Sequence, residues 1–402
     1  MAKVVFLGTP AHGHVNPTRA VVRELVEMGE QITYFCGEEF RTKIEPCGAS
    51  FESYESISSQ DLSYSPKEAG NLFLLAAVVL EMTCLLLPAL EARVRALKPD
   101  YIIHDALSVW GKSIATMLNL PAICSVTAFA FSPRMSLTSV DFTREIFRMF
   151  LSEGRALWRF QRSAQQLKHD WGLKRPGFVE ALTNEESLNI VYTSSMFQPM
   201  SRAFGTSFRF VGPSVCAETD NREFPFKLPD GKNLVYISLG TIFHEDDAFY
   251  RVCFNAFQNA DCFVVVSVGT KTSLERLGPS PANFCVQARV PQLQVLSRAG
   301  VFVTHGGMNS VSESLLCGVP MVVIPRGADQ YAVADRVRKL RAGVRLRRSQ
   351  ATAASLRSAV EQLLRNGTYR ENCRLIGDSL RAAGGPRRAA EEIVRFTKKY
   401  TD

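Results

Sequence analysis

Residues Thr304 to Glu313 read THGGMNSVSE: a histidine, two bare glycines, then hydroxyl and amide side chains. They follow Val301-Phe302-Val303, a short apolar run of the kind that forms a buried strand. The pattern predicts a strand, a glycine turn and a helix that opens at Asn309 and Ser310. Backbone N–H groups at a helix start point outward without intrahelical partners, so they bind phosphate. Glycines at 306 and 307 let a phosphate come close to the backbone. His305 adds a donor at the same spot, and Glu313 is placed to accept hydrogen bonds from ribose hydroxyls. The segment is expected to hold a nucleotide diphosphate.

A second constellation lies near the N-terminus. PAHGHVNP, Pro10 to Pro17, follows the apolar Val4–Leu7 and is expected to be a loop, with a helix beginning near Pro17. Histidine is the natural general base near neutral pH, and a base needs a carboxylate to hold its tautomer and stabilise the imidazolium. Asp105, at the end of Tyr101-Ile102-Ile103-His104, is the candidate partner. His14 and Asp105 would make a dyad able to deprotonate an alcohol. His12 is the rival base.

Further polar residues fall at other strand ends. Val290-Pro291-Gln292 closes one strand, and Ser238–Thr241 supplies hydroxyls around a flexible glycine. Asp329 and Gln330 follow Ile324-Pro325. Adjacent groups that accept and donate suit the vicinal hydroxyls of a sugar; they equally suit a helix N-cap.

These residues need a scaffold that gathers strand ends. Val4–Leu7, a helix to Met28, and Gln31–Phe35 open a βαβ unit. Strands are expected again at Tyr101–Ile103 and Leu120–Val126, with a helix over Ala106–Leu118 between them. Residues 133–185 carry helical periodicity and no strand signal. Prolines 213, 225 and 229 among polar residues mark a linker. A second strand series follows at Leu234–Ser238, Phe263–Val268, Phe284–Val286, Val301–Thr304 and Met321–Ile324. The expected fold is α/β, two Rossmann-like parallel-sheet domains facing across a cleft: residues 1–212, a linker over 213–232, then 233–385. A final helix at 386–402 would pack back on the first domain. Ligands of open α/β sheets bind outside the carboxyl ends of the strands, where Gly13-His14, Asp105, Ser238–Thr241, His305 and Asp329-Gln330 all fall.

Composition limits the alternatives. A chain of 402 residues, 46% hydrophobic, suits two domains with sizeable cores. Ten cysteines without a CxxC pair suggest reduced thiols in a cytoplasm. The net charge of +8 gathers in Arg336–Arg348, without the interleaved aromatics of a nucleic-acid surface; a solvated helix face near an anionic ligand is expected there. The start, MAKVVFLGTP, is no secretory signal. Leu72–Leu90 is interrupted by Glu81 and Pro88, so it is expected to be a buried helix, with no membrane insertion. No metal site is evident, and Asp246-Asp247 is expected to cap a helix. Oligomeric state is not legible.

Val290–Gln330, VPQLQVLSRAGVFVTHGGMNSVSESLLCGVPMVVIPRGADQ, resembles the donor-binding signature of the family 1 UDP-glycosyltransferases. It looks most like their bacterial macrolide and flavonoid branch. PAHGHVNP and IIHDALSVWGKSIA around Asp105 match the same branch. The resemblance implies a GT-B fold, with an acceptor-binding first domain and a nucleotide-sugar-binding second one. It implies His14 as base and Asp105 as its partner. His305, Gly307, Asn309 and Ser310 match the diphosphate cradle, Glu313 the ribose contact, and Asp329 and Gln330 the sugar contacts. Thr241 lies in the turn beside the phosphates, and Val290 and Gln292 border the base and ribose. Arg289 stands where the family commonly has an aromatic that stacks on uracil. A guanidinium can also stack, which leaves UDP against TDP open.

The implied reaction is metal-independent, inverting transfer of a hexose, glucose by default, from a UDP-sugar to a hydrophobic small molecule such as a flavonoid, macrolide or other polyketide. It needs no cofactor beyond the donor. The competing classes are a nucleotide-sugar epimerase, a TDP-sugar enzyme, a Rossmann dehydrogenase and a catalytically silent binding protein. Gly8-Thr9-Pro10 lacks the glycines a dehydrogenase needs, and a silent relative should have lost the dyad.

Overall fold

A computed structural model of the chain describes residues 1–56, 65–132, 147, 153–215, 231–240, 246–270, 272, 274–327 and 329–401. It divides into two units, Met1–Cys216 with Ala382–Asp402, and Ala217–Arg381. The expected linker falls largely outside the described residues.

The first unit is built on a seven-stranded sheet. Its strands are β1 (Lys3–Leu7), β2 (Gln31–Cys36), β3 (Ser50–Ser53), β4 (Tyr101–Asp105), β5 (Ala122–Val126), β6 (Leu188–Val191) and β7 (Phe208–Phe210). The order is β3-β2-β1-β4-β5-β6-β7, and every pair is parallel. β1 after Lys3 and the first three residues of β4 are apolar because helices cover both faces of such a sheet. The chain runs one way from β1 through β2 and the other way from β4, so the loops after these two strands diverge. That divergence is the switch point at which open α/β sheets bind ligands.

Helix α1 (His12–Glu27) buries Val15, Thr18, Val21, Val22 and Leu25, a stripe at helical spacing. It begins five residues before the expected Pro17, which lies inside it. Proline fits there at the cost of one backbone bond, because its fixed φ is already helical. α2 (Leu72–Leu97) starts on Asn71, whose side-chain oxygen accepts from the N–H groups of Phe73 and Leu74. It is long and apolar enough to cross a membrane, yet most of its leucines and valines are buried in the core of the first unit. Glu81 takes a two-pronged ion pair from Arg159 at 2.8 and 2.6 Å. α3 (Val109–Leu118) packs Trp110 into the same core, with its indole N–H donating to the Tyr54 hydroxyl at 2.9 Å. Arg159 lies on α4 (Gly154–Trp171), within the segment expected to hold inserted helices. Residues 133–146 and 148–152 of that segment lie outside the described residues.

The second unit has six strands: β8 (Asn233–Ser238), β9 (Cys262–Ser267), β10 (Phe284–Gln287), β11 (Val301–Thr304), β12 (Met321–Val323) and β13 (Gly343–Arg345). The order β10-β9-β8-β11-β12-β13 places its switch point between β8 and β11. The helices that matter are α5 (Asp247–Phe257), α6 (Met308–Leu316) and α7 (Gln330–Lys339). Asp246 caps α5, accepting from the N–H of Phe249 at 3.0 Å. α8 (Gly385–Thr401) closes the chain; its Ala389, Ala390 and Ile393 lie in the core of the first unit.

The basic run is not a uniformly solvated face. Arg345 pairs with Asp335 at 2.5 Å, both nearly buried, and burial lowers the Arg336 guanidinium below its ordinary range. The nine described cysteines are free thiols.

Candidate active site

The carboxylate of Asp105 ends β4 and is 1% exposed. Burial of a charge is tolerated only with full hydrogen bonding, and several donors converge on it. The Thr9 hydroxyl donates at 2.9 Å and the Leu107 N–H at 2.8 Å. The Nδ1 of His14 lies 3.0 and 2.9 Å from its two oxygens. Thr127, just past β5, brings its hydroxyl within 3.0 Å of the same nitrogen. Nδ1–H donation to the carboxylate fixes the tautomer and makes Nε2 the basic nitrogen. The imidazole is 23% exposed.

His14 sits in the first turn of α1 rather than on a loop, because the helix opens at His12. The firmer seat helps a base, whose geometry then depends on a packed helix. His12 is oriented differently. Its Nδ1 meets the Nζ of Lys43 at 2.9 Å, and its ring packs edge-on against Phe40. An imidazolium is stabilised beside a carboxylate and opposed beside an ammonium, so the two histidines have opposite electrostatic surroundings. Gly13 is exposed on the same turn, with open space where a side chain would project.

His104, under the dyad, is fully buried. Its Nδ1 lies 3.1 Å from the Asp105 carbonyl and its Nε2 3.2 Å from Glu186. Burial pushes the Glu186 carboxyl up, but His104 and Lys112 outweigh it and hold the group below its usual range.

In the second unit the imidazole of His305 lies between two glycines. A Cβ on Gly240 would stand 2.5 Å from its Cε1, and one on Gly307 2.6 Å from its Nε2. Gly240 also has φ +77°, a backbone that side-chained residues avoid. Burial first, and then the charge of Arg326, lower His305 to about 4, so near neutrality it is an uncharged imidazole. Gly307 is the N-cap of α6, whose outward N–H groups favour an anion.

One face of α6 carries a hydrogen-bonded chain. Tyr236 on β8 donates its hydroxyl to the Gln292 carbonyl at 3.0 Å. The Gln292 amide donates to Glu313 at 2.6 Å and to Ser310 at 3.3 Å. Val290 is buried and Arg289 exposed. Ser238 accepts from the N–H of Gly240 at 3.3 Å. Asp329 occupies the N-cap position of α7 without a side-chain capping bond. Gln330 is buried, and its carbonyl accepts from the N–H of Arg326 at 2.9 Å. Asn309 lies in the first turn of α6. Thr241 lies outside the described residues.

Residues 251–396 match the family model described as erythromycin biosynthesis protein CIII-like, C-terminal domain. An uncharacterized UDP-glucosyltransferase YojK of Bacillus subtilis is 35% identical, over all of this chain and 99% of its own length. The chain belongs to the family 1 glycosyltransferases. The NDP-glycosyltransferase YjiC of the same organism is 35% identical over 98% of this chain and 97% of its own. The crystal structure of the glycosyltransferase of kitacinnamycin superposes with a TM-score of 0.85 at 27% identity, covering 98% of each chain.

The glycosyltransferase family and the two parallel-sheet α/β domains are thus as the sequence implied, and the dehydrogenase and epimerase alternatives fall away. His14 and Asp105 meet past the ends of β1 and β4, and Gln292, Ser310 and Glu313 are joined by hydrogen bonds, while Asp329 and Gln330 follow β12, one strand further along the sheet. Sequence reasoning missed Thr9 and Thr127 around the dyad, and Tyr236 behind Gln292. Thr9 had a signal: it lies two residues past β1, and β1 neighbours β4 in this sheet order. Thr127 and Tyr236 had none, since their roles depend on strand pairing.

Proposed function

We propose that this glycosyltransferase moves a hexose, glucose by default, from a UDP-sugar to a hydroxyl of a hydrophobic natural product, with inversion and without a metal. The observation that carries the chemistry is the Nδ1 of His14 held by both oxygens of Asp105. Nε2 of His14 would take the acceptor's O–H proton. The oxygen then forms a bond to the anomeric carbon as the bond from that carbon to the phosphate oxygen breaks. Attack from the opposite face inverts the configuration, and UDP carries away the bonding pair. Asp105 would stabilise the imidazolium. The α6 N-terminus, the neutral His305 and the neighbouring Asn309 and Ser310 would hold the diphosphate. Ribose would meet Glu313 and Gln292, and the sugar Asp329 and Gln330.

The relatives' names, a UDP-glucosyltransferase and an NDP-glycosyltransferase, support a nucleoside-diphosphate sugar. The apolar sequence segments Leu72–Leu87 and Phe129–Phe150 support an aglycone with apolar bulk, and the free thiols fit a reducing cytoplasm. Arg289, exposed at the end of β10, leaves room for TDP as well as UDP. The test is incubation with UDP- and TDP-sugars and a panel of phenolic and macrolide acceptors, read by mass spectrometry with and without EDTA. We expect a hexose mass gain with UDP-glucose that survives EDTA. No gain on any acceptor, with donor and acceptor both intact, would reject the proposal.

A further inference from the structure

The donor residues named so far bring little positive charge to an anionic leaving group. His305 is neutral, Glu313 and Asp329 are acids, and Arg289 is exposed. One buried cation lies at the same strand ends. Arg326 follows β12, its side chain 4% exposed. Its Nη1 donates to Asp246, and its guanidinium carbon stands 5.1 Å over the Phe249 ring. Its charge is felt by His305. Its backbone N–H donates to Gln330 at 2.9 Å, and Gln330 lies within 4 Å of where a Cβ on Gly306 would stand, so Arg326 is set beside the glycine turn that follows His305.

The charge is not cancelled there. Arg348 also reaches Asp246, at 3.1 Å, so two guanidiniums share one carboxylate. Nε and Nη2 of Arg326 are buried without a hydrogen-bond partner among the described residues. So is the hydroxyl of Tyr250, which is within electrostatic reach of both Arg326 and Asp246. Buried charged donors without acceptors are costly, and a native fold keeps them where something fills them. Nε and Nη2 form one edge of the guanidinium, two parallel N–H groups spaced for two oxygens of one phosphate.

We infer that this edge of Arg326 is a phosphate fork for the nucleoside diphosphate, and that Asp246 is the positioning residue that aims it. The inference rests on the donor reading above. With Nη1 tied to Asp246, Nε and Nη2 donate to the diphosphate and take up charge as its bond to the sugar breaks. The edge is closed to water, so the phosphate reaches it only when the side chains above it move aside.

UDP, TDP and uridine are titrated by ligand-observed NMR into the wild type, Arg326→Gln, Arg326→Lys and Asp246→Asn. Arg326→Gln should weaken UDP about tenfold or more, the worth of a charged hydrogen bond, and leave uridine unchanged. Arg326→Lys should recover part of the loss. Asn still caps α5 and its carbonyl can still accept from Nη1, so Asp246→Asn keeps the aim, removes the competing negative charge and should tighten UDP. Equal losses for UDP and uridine in Arg326→Gln, or none for either, overturn the fork. If that variant does not fold, Asp246→Asn decides, and unchanged or weaker UDP overturns it. A wild type that binds neither UDP nor TDP refutes the donor reading itself.

Discussion

At the residue scale, two histidines are given opposite electrostatic surroundings. His14 is half-open and tied to a carboxylate; His305 is enclosed and neutral. His14→Ala should lower turnover by about 10²–10⁴-fold, the usual worth of a general base. UDP affinity should hardly change, because the donor contacts lie on other residues; initial rates and UDP titration on one preparation check both. Near-normal turnover would move the base elsewhere. For His305 the expectation concerns stability. Its folded value, about 4, lies below the usual 6.5, so between these pH values the unfolded chain binds a proton that the folded chain does not. Stability is therefore full above pH 6.5 and falls as pH drops towards 4, by on the order of 3 kcal/mol from this group. Urea unfolding of the second unit at pH 4.5 and 7 should show a smaller difference in His305→Gln than in the wild type. An identical difference would mean that His305 is not buried neutral. The histidines and the acid were legible in the sequence because they sit beside glycines and apolar strands. The hydroxyls that serve them were not, since Thr127 reaches His14 across 113 positions.

At the element scale, the site depends on how closely backbones approach. Gly111 in α3 has no room for a side chain: a Cβ there would overlap that of His104, next to Asp105. Gly111→Ala should push α3 off β4, lowering stability by about 1–3 kcal/mol through overpacking and lowering turnover as Asp105 shifts. A thermal melt and a rate assay on the variant test this; an unchanged melting temperature would show that the helix gives way freely. Gly240→Ala faces both a ring at 2.5 Å and a positive φ, so it should weaken UDP binding by more than an alanine at the open Gly13 does. The same closeness explains which elements could be read from sequence. The inner strands β1, β8, β9 and β11 are built on apolar runs that announce burial on two faces. β3, β7 and β13 are four residues or fewer, carry Ser, Glu, Arg or Gly, and lie at or beside sheet edges, where pairing and not composition makes them strands. The start of α1 was misjudged because Pro17 looked like a first-turn residue, while the backbone places it inside the helix.

At the scale of the whole molecule, the first unit is not one continuous stretch of chain. It takes back Ala382–Asp402 after the second unit is complete. The reason lies in α8, where Ala389, Ala390 and Ile393 are buried and Val394 and Phe396 pack beside them against α1 and the sheet. A buried carboxylate fixes the register. Glu392 receives Arg209 of β7 at 3.0 Å and Arg388 of its own helix at 2.5 Å, and is itself 4% exposed. Both arginines are more than a third exposed, so the pairing is worth only about 1 kcal/mol after solvent screening, while each large apolar side chain returned to water costs about 1.5–3 kcal/mol. Domain stabilities are about 5–15 kcal/mol, so the first unit should not survive loss of the helix. A chain ending at Arg381 should therefore show, by calorimetry, one transition for the second unit and none for the first. Glu392→Gln in the full chain should lower only the transition of the first unit. Two undisturbed transitions in the shortened chain would mean that the sheet β3 to β7 carries its own stability and that α8 is dispensable to it.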